Sequence, residues 1–83
     1  MKYQVEFSTA ATAVYNSLPR HIQNIIDDMK SWLSSDPYGH GSTGNSTSRA
    51  LAHSVVLINY QINVPQENVY IIDITSIHFE TRI

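Results

Sequence analysis

The sequence predicts an α+β fold: a small antiparallel sheet with two N-terminal helices packed on one face, in the order β-α-α-β-β-β. Three observations lead there. Residues 2–7, KYQVEF, alternate polar and apolar side chains, the mark of a strand with one buried face. Residues 22–33 carry an apolar stripe at helical spacing. Beyond residue 49 the chain is dominated by β-branched and aromatic residues. With 83 residues, 42 % of them hydrophobic, the expectation is one domain over 1–83 with a single modest core.

Taken in order, Tyr3, Val5 and Phe7 face the core from the first strand, while Lys2, Gln4 and Glu6 face away. Ser8 or Thr9 offers an N-cap oxygen to a short helix whose stripe is Ala11, Val14, Tyr15 and Leu18. Pro19 interrupts that pattern and suits the first turn of a second helix, where its missing N–H costs nothing. Ile22, Ile25, Ile26, Met29, Trp32 and Leu33 then share one face, so Trp32 is expected in the core. The helix should stop near Ser34 or Ser35, because Pro37 drives Asp36 out of the helical region. A short strand over 49–53 leads into a hairpin of residues 54–62 and 69–79, joined by a loop of about six residues. Val56, Ile58, Tyr60 and Ile62 share the buried face of its first strand.

Between helix and sheet lies GHGSTG, residues 39–44, which holds every glycine in the chain. Its G-x-G-x-x-G spacing matches a dinucleotide-binding fingerprint, but that fingerprint follows a strand and opens a helix. Here a helix precedes it and a strand follows, so no nucleotide site is predicted. Residues 39–48 are mostly Gly, Ser, Thr and Asn. They offer little apolar area to offset ordering entropy and are expected to be mobile.

Five Lys/Arg against seven Asp/Glu give a formal charge of −2. Extensive non-specific nucleic-acid binding needs a basic excess, since each neutralised phosphate requires a cation. The absence of cysteine rules out disulfides and thiolate metal sites and fits a reducing compartment. The opening MKYQVEFSTA has no apolar signal-peptide core, and no run approaches membrane-spanning length. A cytoplasmic protein without a membrane partner is therefore expected. His21, His40, His53 and His78 show no close ligand spacing, so neither a metal nor another cofactor is expected.

Five segments, in this order and spacing, carry a resemblance: VEFS (5–8), SLP (17–19), SSDPYG (34–39), LINYQI (57–62) and VYIIDITSIH (69–78). Together they resemble the RelE/ParE toxin superfamily over nearly the whole chain. The resemblance implies a type II toxin–antitoxin toxin held inactive by a cognate antitoxin. In the RelE branch such proteins cut messenger RNA at the ribosome; in the ParE branch they inhibit DNA gyrase and are not nucleases. A third alternative is a relic of the same fold that only binds its antitoxin. The chain departs from the family's R-x-x-Y pattern, having Leu57 where an arginine stands three residues before Tyr60.

Metal-independent RNA cleavage requires a base for the 2′-hydroxyl, a cation on the phosphate and an acid for the leaving 5′ oxygen. His78 is the candidate acid or base, since imidazole titrates near neutral pH and His78 occupies the family's C-terminal histidine position. Arg49 is the candidate phosphate ligand. Arg82 and Glu80 would add a second cation and a carboxylate, and His53 and Tyr60 would contact substrate. Each has a plainer reading: solvated strand-end charges for the first five, and core packing beside Ile58 and Ile62 for Tyr60. The oligomeric state is left open by the sequence.

Overall fold

The computed structural model of the chain describes residues 3–76. Its elements are β1 (Gln4–Phe7), α1 (Thr9–Ser17), α2 (Arg20–Ser35), β2 (Thr43–Gly44), β3 (Ser48–His53), β4 (Val56–Asn63) and β5 (Asn68–Ser76). The sheet runs β1-β5-β4-β3-β2. Strands β2 to β5 form an antiparallel meander, whereas β1 joins β5 in parallel, with Val5 opposite Val69 and Phe7 opposite Ile71. The α+β class stands, and the sheet is mixed rather than antiparallel throughout. A parallel neighbour needs a long crossover, and here the two helices and the meander together supply it.

Ser8 makes the turn from β1 into α1. Its Oγ accepts from Ala11 N (3.0 Å), as an N-cap should, and donates to Ile72 O (2.6 Å). Its own N–H donates to Ile71 O (2.8 Å). That strand is irregular at this point: Asn59 faces Asp73 while Tyr60 faces Ile71, leaving Ile72 as the extra residue of a β-bulge. The helix cap thus bonds to the carbonyl of the bulge residue. Ser8 is buried with every polar group engaged.

Pro19 is the N-cap residue of α2, one position earlier than its expected place inside the first turn. The apolar face of α2 buries Ile22, Ile26, Met29 and Leu33 against Leu51, Val56, Ile58, Tyr60, Ile62, Val69, Ile71 and Ile74 of the sheet. Helix α1 contributes Ala11 to the same core. Tyr15 Oη donates to Asp27 Oδ1 (2.8 Å), tying α1 to α2; that bond raises the phenol pKa above its ordinary value. The β4–β5 connection is shorter than expected, because Asn63 and Asn68 already pair and only residues 64–67 turn, with Glu67 at φ 53°.

Trp32 corrects an expectation. It lies at the rim of the core, partly buried, in contact with two histidines: His40 stacks on it at 5.5 Å and His53 meets it edge-on at 4.6 Å. Helical periodicity marks its face rightly but says nothing of how far the sheet extends beneath the last turn. Trp32→Ala should therefore cost about 1.5–2.5 kcal/mol, half the range of a fully buried aromatic ring. Urea unfolding measures this, and a loss beyond about 4 kcal/mol would place the ring in the core after all.

Candidate functional site

Cross-strand register assigns the two faces of the sheet. Arg49 opposite Tyr60, Leu51 opposite Ile58 and His53 opposite Val56 face the helices. On the open face lie four rows: Ala52–Leu57–Thr75, Ala50–Asn59–Asp73, Ser48–Gln61–Tyr70–Glu6, and Asn63–Asn68–Gln4. Leu57, standing where the family pattern has arginine, is on the open face. None of the residues in these rows is Lys or Arg.

Arg49 sits on β3 beside the glycine segment and organises it. Nε donates to Ser42 Oγ (2.6 Å), Nη2 to Ser42 O (3.0 Å), and Nη1 to Asn45 O (2.8 Å) and Gly44 O (3.5 Å). The Tyr38 ring lies 5.2 Å from the guanidinium carbon, within cation–π range. Asn45 Oδ1 accepts from Thr47 N (2.9 Å) and Ser48 N (2.7 Å), closing the turn. Gly44, at φ 133°, has no room for a side chain, since a Cβ would run into Ser48 O and Arg49 Cα.

Against the mobility expected of residues 39–48 stand these hydrogen bonds, which composition does not reveal. The segment has fixed partners, supplied by side-chain hydrogen bonds rather than by apolar burial. Arg49→Ala should raise amide exchange across 42–48 and destabilise by about 1–3 kcal/mol, as charged hydrogen bonds to backbone are lost. Unchanged exchange there would show that the turn holds itself.

Tyr60 completes this arrangement. It is 1 % exposed, and its hydroxyl lies 2.5 Å from Pro37 O and 2.7 Å from Ser42 Oγ. A carbonyl only accepts, so the phenolic proton goes to Pro37 O. The Ser42 hydroxyl then donates to Tyr60 Oη while accepting from Arg49 Nε. The result is one polarised chain from Arg49 through Ser42 and Tyr60 to Pro37. A ring buried this way is not available to stack on a base, which corrects the substrate-contact reading of Tyr60.

His53 ends β3, exposed, with its ring against Trp32. His40, in the glycine segment at φ 60°, stacks on the same indole. The structure therefore brings His40, His53 and Trp32 together, a cluster that sequence spacing did not reveal. Arg49 shares their face of β3. His78, Glu80 and Arg82 lie outside the described residues. The other described cations are on α2: Lys30, whose ammonium lies 4.9 Å from the Phe7 ring centroid, and exposed Arg20. Among the described residues no three His, Asp or Glu converge as metal ligands, and no helix is long and apolar enough to cross a membrane.

Two polar-edged hollows mark the open face. The larger, about 470 Å³, is lined by Glu6, Gln61, Asn63, Pro65, Asn68 and Tyr70 among others. The smaller, about 330 Å³, includes Thr43, Ser48, Ala50, Asn59 and Ile72. The row Ser48–Gln61–Tyr70–Glu6 runs between and into both.

This architecture is a RelE-like toxin fold. It superimposes on the toxin–antitoxin complex RelBE2 from Mycobacterium tuberculosis with a TM-score of 0.82 at 18 % identity, covering 92 % of this chain and 99 % of that one. The archaeal RelE–RelB complex from Pyrococcus horikoshii gives 0.77 at 14 % identity, covering 92 % and 96 %. The isolated E. coli RelE toxin gives 0.79 at 13 % identity, covering 95 % and 88 %. No protein-family model matches the sequence, and no curated protein sequence matches it either. The likeness lies in the fold, from the parallel β1–β5 pair to the helices on one face.

Proposed function

We propose that the chain is the toxin of a type II toxin–antitoxin pair, neutralised by a cognate antitoxin and directed at messenger RNA on the ribosome. The observation that carries this reading is the fold match to RelE toxins and RelE–RelB complexes over more than nine-tenths of the chain. In this reading His78 exchanges a proton with the ribose 2′-hydroxyl or the leaving 5′ oxygen. Arg82 and Glu80 follow it in sequence and would supply further charge. Arg49 would hold the phosphate, but its Nε, Nη1 and Nη2 are already donating to the glycine segment, so a phosphate must compete with three carbonyls and a hydroxyl. The domain is taken as 1–83 and its location as cytoplasmic.

A second reading has its own support. The open face lacks any Lys or Arg among its described strand positions, Leu57 replaces the expected arginine, and Arg49 is engaged. Those features suit a gyrase-directed toxin or a form that only binds its antitoxin, because phosphoryl chemistry depends on fixed positive charge. Induced expression with parallel measurement of translation, DNA synthesis and message integrity separates the readings. Arrested translation with cut messages supports the nuclease; arrested DNA synthesis with intact messages supports the gyrase-directed alternative.

A further inference from the structure

We infer that the larger hollow of the open face is a binding site for a neutral pyranose sugar, with its ring over Tyr70 and its hydroxyls on the surrounding amides and carboxylate. The inference stands apart from the toxin reading and does not depend on it. Tyr70 is 41 % exposed. Cross-strand pairing puts Glu6 on one side of it and Gln61 on the other, each about 4.8 Å away across the sheet. Asn68 lies two residues before Tyr70 on the same face, paired with Asn63. Val64, 51 % exposed, and Pro65 form an apolar wall where the strands turn. All of these line one hollow of about 470 Å³, within the range of roughly 300–1,000 Å³ that small-molecule sites occupy.

The chemistry of the lining identifies the ligand. Tyr70 offers a flat apolar ring with a polar tip. The amides of Gln61 and Asn68 each donate and accept, whereas the carboxylate of Glu6 only accepts. Asn63 Oδ1 accepts from Gln66 N (3.3 Å), which leaves its amide N–H groups for donation. Among the described residues, nothing hydrogen-bonds the side chains of Glu6, Gln61, Asn68 or Tyr70. A ligand seated here displaces water from the ring and from these donors and acceptors, and a polar group left unmatched costs binding. A hydrocarbon would match the ring and strand the amides. A simple amine would match the carboxylate and the ring, and leave the amide N–H donors unpaired. A pyranose matches the whole set. Its C–H face lies on the ring, while its rim of hydroxyls both donates and accepts. Two neighbouring hydroxyls can donate to Glu6 while others accept from Gln61 and Asn68.

The hollow is held in shape by regular structure. Tyr70 is paired on both sides, and the turn beside it is closed by the Asn63–Asn68 pair and by Glu67 N donating to Val64 O (3.1 Å). Side chains fixed on strands at set spacing lose less freedom on binding. The site also lies away from the end of the sheet where Leu57 stands. Leu57 and Asn63 are six positions apart on β4, about 20 Å at the rise of a strand.

The test titrates the full chain with glucose, galactose, N-acetylglucosamine and maltose, following backbone amide shifts and saturation transfer to the sugar protons. Putrescine and uridine are the controls for a cation and for a base. The expected result is saturable shifts centred on Glu6, Gln61, Asn68 and Tyr70 with at least one sugar, and transfer strongest at its ring C–H protons. Tyr70→Ala should weaken that binding by about tenfold or more, while Tyr70→Phe, which keeps the ring, retains most of it. Glu6→Gln should weaken it several-fold, because a neutral acceptor replaces a charged one. Asp28→Asn on the exposed side of α2 should leave it unaltered. Each variant is checked for a native amide spectrum, and Tyr70→Leu replaces a Tyr70→Ala that does not fold. No saturable shift with any sugar up to about 50 mM would overturn the inference, since even a weak site binds in the millimolar range. Sugar binding unchanged by loss of the Tyr70 ring would overturn it as well. So would putrescine or uridine bound at these residues as tightly as the sugar.

Discussion

His78→Ala should slow message cleavage by about two to four orders of magnitude, the usual cost of removing a general acid or base from a positioned site. Arg49→Ala should reduce it as well, but for two separable reasons. One is loss of positive charge near the phosphate; the other is collapse of the Ser42–Asn45 turn that Arg49 holds together. Arg49→Lys keeps the charge and loses the fork, so it should restore part of any phosphate contact while leaving the turn loose. Ribosome-dependent cleavage, read beside amide exchange across 42–48, tells the two apart. If both variants cut as fast as the original chain, these residues are bystanders. If the original chain cuts nothing, Leu57→Arg is the substitution to try, since it returns a cation to a face whose described strand rows have none.

Tyr60→Ala should destabilise the fold by about 3–5 kcal/mol, the cost of emptying a fully buried aromatic site. A small domain has little more than that in total stability, so the variant should be largely unfolded near its working temperature. Tyr60→Phe isolates the hydroxyl. It leaves Pro37 O without its donor and removes the acceptor of the Ser42 hydroxyl, and should cost about 1–2 kcal/mol. Thermal or urea unfolding measures both. A substrate-stacking tyrosine would behave oppositely, losing activity at unchanged stability.

Much of the fold was legible because its signals are periodic. The alternation of Tyr3, Val5 and Phe7 and the stripe from Ile22 to Leu33 each point to one face, and the sheet buries those faces. The parallel β1–β5 pair was not legible, because period-two alternation does not record which strand lies alongside. One signal went unused: adjacent Ile71 and Ile72 break the alternation of β5, and that break is where the bulge falls. The partners of the glycine segment were not legible for a different reason. Composition counts apolar area, whereas Arg49, Asn45 and Tyr60 fix the segment through hydrogen bonds made by residues distant or polar in sequence. The same limit concealed the His40–Trp32–His53 cluster, whose members are brought together only by the fold. Arg49 is a phosphate-ligand candidate by its residue type and its place on the strand where the resembled family carries basic residues; its hydrogen-bond partners emerge only in three dimensions.

The most direct measurement is growth on induced expression of the chain, with and without any small protein encoded beside its gene, while translation and DNA synthesis are followed together. The account predicts growth arrest with falling translation and cut messages, relieved when the neighbouring protein is co-expressed and forms a complex with the chain. Normal growth and intact messages at high expression, with no neighbouring protein binding the chain, would contradict it.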